Sequence, residues 1–169
     1  MTPRDAKLHR RFAVECFNAT WKLILKKRRT RGDDVRMVHL AHASRHHWGI
    51  AGGPRNWAIG EWQVSHVYAV LRRGEPALYH ARRCLETCRK HGVRDFPLAY
   101  AFEALARASH VAGSRRDVTR YWALAAKAGS KIARREDREQ FFRDLATLPL
   151  PRSLDVKPGG ARRAPRRRA

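Results

Sequence analysis

Residues 62–85 read WQVSHVYAVLRRGEPALYHARRCL, and the reading of this stretch decides the fold. Before Gly74, Val64, Ser65 and Tyr68 set an apolar–small–aromatic pattern at helical spacing. After it, Ala77, Ala81, Cys84 and Leu85 continue at the same period with small side chains. Gly74 breaks the run, and Pro76 falls in a first helical turn, where its missing N–H costs nothing. Two helices joined by a tight turn follow. The small residues after the turn let the two approach closely, and the larger ones fill the gap between them.

The pattern recurs. Val64, Ser65, Tyr68, Ala77, Ala81, Cys84 and Leu85 return 41 residues later as Leu105, Ala106, Ser109, Val118, Trp122, Ala125 and Ala126. An earlier and looser copy has Met37, Ala41 and Ser44 at comparable places, and Gly32, Gly74 and Gly113 mark the turn of each pair. Helical periodicity runs through the chain, and strand-like alternation is hard to find. The spacing predicts seven helices, over residues 5–28, 33–48, 56–73, 75–91, 96–112, 116–133 and 135–147. Breaks fall at Gly32, Gly52-Gly53-Pro54, Gly74, Gly92 and Gly113-Ser114, with Asp33 or Asp34 as the cap of the second helix. Pro149 and Pro151 stop the last helix. The Arg-rich, low-complexity run from Arg152 onward is expected to be disordered, which divides the chain into a helical domain, 1–150, and a basic tail, 151–169.

A chain of 169 residues is long enough for one domain with a proper core, and five Trp with 43% hydrophobic residues exclude a wholly disordered chain. No apolar run approaches the length of a transmembrane helix. Three Cys cannot make a disulfide framework and leave an odd thiol, which suits a reducing compartment. The basic stretch from Arg4 to Arg11 leads into Phe12-Ala13-Val14, but Glu15 interrupts it, so it does not read as a secretory signal and a cytoplasmic location is expected. The formal charge of +22 is unevenly spread. Residues 1–32 carry ten Lys/Arg against two acids, and residues 152–169 seven against one, so the middle of the chain is only moderately basic.

The repeat pattern resembles the tetratricopeptide-like family of helical hairpins. Val64-Ser65 with Tyr68 is similar to that family's first helix, and Gly74, Ala77, Ala81, Cys84 and Leu85 to its turn and second helix. The period near 41 is longer than the family's own, and no proline closes each repeat. The resemblance, over about residues 10–133, implies an all-α, right-handed stack of three helical hairpins. The Glu- and Arg-rich segment around Phe141, Phe142 and Leu145 would be its C-terminal capping helix. It also implies that the first helix of each pair lines a concave groove. Tyr100, Glu103, Arg107 and His110 share one stripe of the fifth helix, and Trp62 and His66, with Gln63 beside them, occupy the matching part of the third. Aromatic, amide, imidazole and acid–base groups together suit a recognition surface. The plainer alternative makes Glu103 and Arg107 an ordinary helical ion pair and Trp62 part of the core.

Other constellations point less clearly to chemistry. His39, His42 and His46 share a helix face, but the third lies two turns from the first, and no further ligand is in sight. His80, Cys84, Cys88 and His91 form a stripe about 16 Å long, too extended for one ion. Cys84 replaces a repeat alanine, the mark of a small buried residue. No phosphate loop, paired carboxylate or dinucleotide fingerprint is present, so neither metal nor cofactor is expected and catalysis is not the reading. The expected function is a non-catalytic binding or scaffold module for a peptide or protein partner. The alternative is an RNA- or DNA-associated protein that holds phosphates with Lys22, Lys26, Lys27, Arg28, Arg29 and Arg31 and with Arg162, Arg163, Arg166, Arg167 and Arg168 of the tail.

Overall fold

The structure is a computed structural model, and it describes residues 2–148. Among these residues there are seven helices and no strand: α1 (Pro3–Ile24), α2 (Arg31–Ala51), α3 (Pro54–Val70), α4 (Gly74–Lys90), α5 (Phe96–Val111), α6 (Arg115–Gly129) and α7 (Arg135–Leu145). The limits fall within four residues of those read from periodicity. Pro149, Pro151 and the basic tail with its six arginines lie outside the described residues.

Each odd-numbered helix from α1 to α5 packs on the helix that follows it, and α7 closes against α5 and α6. Small side chains permit the close contact. Ala13 of α1 and Met37, Ala41 and Ser44 of α2 are all buried, and the Ser44 hydroxyl donates to the Ala13 carbonyl at 2.9 Å. In the next pair the Ser65 hydroxyl donates to the Ala77 carbonyl at 2.8 Å. Four of the seven pairs matched at a spacing of 41 are buried in both copies, Val64 and Leu105, Ser65 and Ala106, Ala77 and Val118, and Cys84 and Ala125, whereas Tyr68, Trp122 and Ala126 are only half-buried.

Local chemistry refines the expected turns. The N-cap of α2 is Thr30, not an aspartate. Its extended backbone lets the hydroxyl accept from the Asp33 N–H at 3.1 Å while the Asp33 carboxylate accepts from the Thr30 N–H at 2.8 Å. Gly32 therefore lies inside the first turn of α2. The turn glycines also serve different ends. Gly113 has φ +81°, and the Ser114 N–H returns to the Ser109 carbonyl at 3.0 Å, a helix end that favours glycine. Its true counterpart 41 residues earlier is Arg72, with φ +56° and the same return bond, from the Arg73 N–H to the Tyr68 carbonyl at 2.9 Å. Gly74 instead begins α4 where it crosses the end of α5, and a Cβ there would come within 2.9 Å of the Ala112 Cα.

Gly32 and Gly74 look equivalent in sequence, yet alanine should separate them. Gly74→Ala forces backbone apart and should cost about 1–3 kcal/mol. Gly32→Ala, whose Cβ would have no neighbour nearer than 3.7 Å, should be neutral or stabilising by up to about 1 kcal/mol. Urea denaturation of the two variants measures both.

Candidate functional site

Helices α1, α3 and α5 touch in order, α1 with α3 and α3 with α5, and most of the residues expected to line a groove meet where they do. The Trp21 ring lies 5.7 Å from the Trp62 ring, and the Trp62 indole N–H donates to the Glu103 carboxylate at 3.2 Å. The other Glu103 oxygen accepts from Arg107 Nε at 2.6 Å. Arg107 reaches on to α7 and the turn beyond it, donating to the Asp144 carbonyl at 3.3 Å and to the Thr147 hydroxyl at 2.8 Å. The Tyr100 hydroxyl donates to the Asp144 carboxylate, and its ring packs between Trp62 and Phe141. Burial and that carboxylate push the Tyr100 hydroxyl well above its ordinary value.

Trp62, His66, Tyr100, Glu103 and Arg107 thus form one seam, and it is largely closed over itself. Glu103 is 1% exposed and Gln63 is 0% exposed, so neither presents its side chain to solvent. His110 stands apart from the seam, exposed near the end of α5. Two atoms in the seam have no partner. Gln63 donates through Nε2 to the Phe17 carbonyl at 3.0 Å, leaving its Oε1 unpaired, and the Nδ1 of His66 is also unpaired. Burial lowers His66 to about 3, with the Arg107 charge adding to the effect, so the imidazole is neutral.

A second polar centre lies on the other side of α3 and was not anticipated. Glu61, 5% exposed, accepts from Arg45 Nε of α2 at 3.0 Å and from Arg83 Nε of α4 at 3.4 Å. Its other oxygen pairs with His80 Nδ1 at 2.7 Å. Burial pushes the Glu61 carboxyl up, but the His80 hydrogen bond and the charges of Arg45, His80 and Arg83 outweigh it and hold the group below its ordinary value. His80 stacks on Tyr68, whose hydroxyl is 3.0 Å from His42 Nε2. The one legible signal was that Glu61 is the lone acid of α3.

The other candidate residues disperse. His80 turns to Glu61 and His91 to Trp57, while Cys84 and Cys88 are buried in the core. A hydrogen bond with Cys88 and burial together raise the Cys84 thiol far above its usual value. His42 joins Tyr68 and His46 meets His47, so the stripe with His39 does not converge. Among the described residues, no group of three or more His, Cys, Asp or Glu is arranged to hold a metal ion. In the basic patch, Lys26 pairs with Asp33 at 2.7 Å and Arg29 with Asp34 at 2.8 Å, whereas Lys22, Lys27, Arg28 and Arg31 are exposed. No described helix is long and apolar enough to cross a membrane.

Compared with known protein families, curated proteins and solved structures, the chain matches none. Its chemistry has to be read from these two centres.

The two carboxylates should pull stability in opposite directions with pH. Glu61, lowered on folding, contributes stability that is complete above about 4.5 and is lost as pH falls through its folded value. For Glu103, burial raises the carboxyl and Arg107 and Trp62 only partly offset it, so folding is favoured below about 4.5 and loses that contribution as pH rises. Urea denaturation between pH 3 and 7 should show the penalty of Glu61→Ala, about 3–5 kcal/mol at pH 7, shrinking towards pH 3. Glu103→Gln should gain on the wild type as pH rises over the same span.

Proposed function

We propose that the protein is a non-catalytic, cytoplasmic binding module in which three helical hairpins stack, right-handed, in the tetratricopeptide-like manner with α7 as the cap. In this reading the inner side, formed by α1, α3 and α5, takes an extended segment of a peptide or protein partner. Two features support the architecture. Helices α1, α3 and α5 touch one another in order, as the short side of a curved stack must, and burial repeats at four of the seven positions matched 41 residues apart.

The observation that carries the function is the unpaired couple Gln63 Oε1 and His66 Nδ1. A buried polar atom left without a partner costs about 1–3 kcal/mol, and such atoms in a folded protein call for an explanation. His66 lies beside the half-buried rings of Trp21 and Trp62, and Gln63 reaches α1 through its bond to the Phe17 carbonyl. Neither atom is open to solvent as packed, so an incoming backbone N–H would reach the amide oxygen, and a donor or acceptor the neutral imidazole, once the packing over this side of α3 opens. The aromatic rings supply apolar anchorage at low entropic cost. The remainder of the seam, already paired, holds these groups in place.

Selection of peptides from a random displayed library on the immobilised full chain gives the probe. The double variant Gln63→Met and His66→Phe keeps volume and removes both unpaired atoms. Selected peptides should bind it at least tenfold more weakly, about 1.4 kcal/mol, while its helical circular dichroism is unchanged and its thermal midpoint falls only by the loss of the Gln63 bond to the Phe17 carbonyl. A selection that returns no peptide, or peptides that bind both proteins equally, rejects the reading.

A further inference from the structure

The Glu61 centre opens on a cleft of about 490 Å³ between α2, α3 and α4, walled by Arg45, Trp57, Arg83, Glu86, Arg89 and Lys90 among others. Its organisation is unlike that of a solvated basic surface. Arg45 and Arg83 come from different helices, and each commits its Nε to the same buried oxygen of Glu61, at 3.0 and 3.4 Å. The terminal nitrogens of both guanidiniums have no hydrogen-bond acceptor among the described residues. One carboxylate therefore orients two forks and leaves their outer edges free.

The stem of Arg45 is fixed as well. It crosses α3 at Gly60, where a Cβ would come within 2.7 Å of the Arg45 Cδ, so the glycine makes room for this arginine. Four cationic side chains of the cleft face two carboxylates, Glu61 and Glu86, and two positive charges are left over. At one wall stands Trp57, its ring held by an indole N–H bond to the Trp48 carbonyl at 2.9 Å and by the His91 edge.

We propose that this cleft binds a small phosphate monoester with a flat aromatic body, a nucleotide-like ligand, with the phosphoryl group on the free edges of Arg45 and Arg83 and the body against Trp57. Two residual charges match a phosphoryl dianion, and paired guanidinium forks fit its oxygens in bidentate fashion. The volume lies within the usual range of small-molecule sites. Lys90 and Arg89 at the mouth raise the local anion concentration, and Glu86 is placed to accept from a hydroxyl or amine of the ligand body. The site lies across α3 from the inner seam and does not depend on the partner reading above.

Calorimetric titration of the full chain with inorganic phosphate, adenosine and AMP tests the proposal. AMP should bind one to one and at least tenfold more tightly than phosphate, and adenosine alone should not bind measurably. Arg83→Gln removes a side chain that is 47% exposed, so folding should be kept, and AMP affinity should fall at least tenfold. Arg45→Lys keeps the charge and loses the fork, and should weaken AMP by a similar factor. Arg135→Gln, which removes the same charge from distant α7, should leave affinity unchanged, and the Trp57 indole resonance should shift on titration. Phosphate binding as tight as AMP would remove the aromatic part of the proposal. Non-saturable binding, or equal weakening by Arg135→Gln, would overturn the whole and leave only general attraction of anions to a basic protein.

Discussion

The structure depends on contact between positions 41 residues apart. Trp21 lies against Trp62, Trp62 donates to Glu103, and Tyr100 packs on Phe141, each pair joining one inner helix to the next at the same register. A repeat unit of this kind cannot cover its own apolar face, so its copy must do so. The contact surfaces are then self-complementary in sequence register, and a change at one position is felt at its counterpart. Small residues within each pair set how near the two helices come, and the inner ladder sets how the pairs follow one another.

On this frame the chain places two buried carboxylates back to back with respect to α3. Glu103 closes the inner ladder, where burial is the stronger influence and the acid is held by one arginine and one indole. Glu61 faces outward to α2 and α4, where three cationic or protonatable partners overcome the same penalty. Each acid organises arginine, but with different results. Arg107 spends its nitrogens on protein acceptors and is structural, whereas Arg45 and Arg83 keep theirs in reserve.

Much of the fold was legible in the sequence because the helix signals are local. Glycine and proline at the turns, and small residues at helical spacing, fix where helices start, end and approach. The cap of α2 was misplaced because two aspartates stand next to a threonine that does the capping, with Asp33 as its reciprocal partner. The groove stripe was found on α5 as a polar line in an Ala-rich helix, and the structure brings most of it together. What periodicity could not show is that the line would be buried by its own repeat, as Glu103 and Gln63 are. The Glu61 centre needs three helices at once. Arg45, Glu61 and Arg83 are separated by 16 and 22 residues, and nothing local marks them as partners.

The position of α7 has a consequence for how the molecule opens. It packs on α5 and α6, no helix follows it among the described residues, and it is only eleven residues long. Its hold rests on Phe141 and Leu145 in the core, on the absence of a side chain at Gly129, and on Tyr100 and Arg107 reaching across to Asp144 and Thr147. Among the described helices it is the one most lightly packed against the rest, so it is the segment expected to open first. When it does, Tyr100 and Arg107 lose their far partners together. The faces of α5 and α6 that α7 covers are then bared without any change in the three pairs before them.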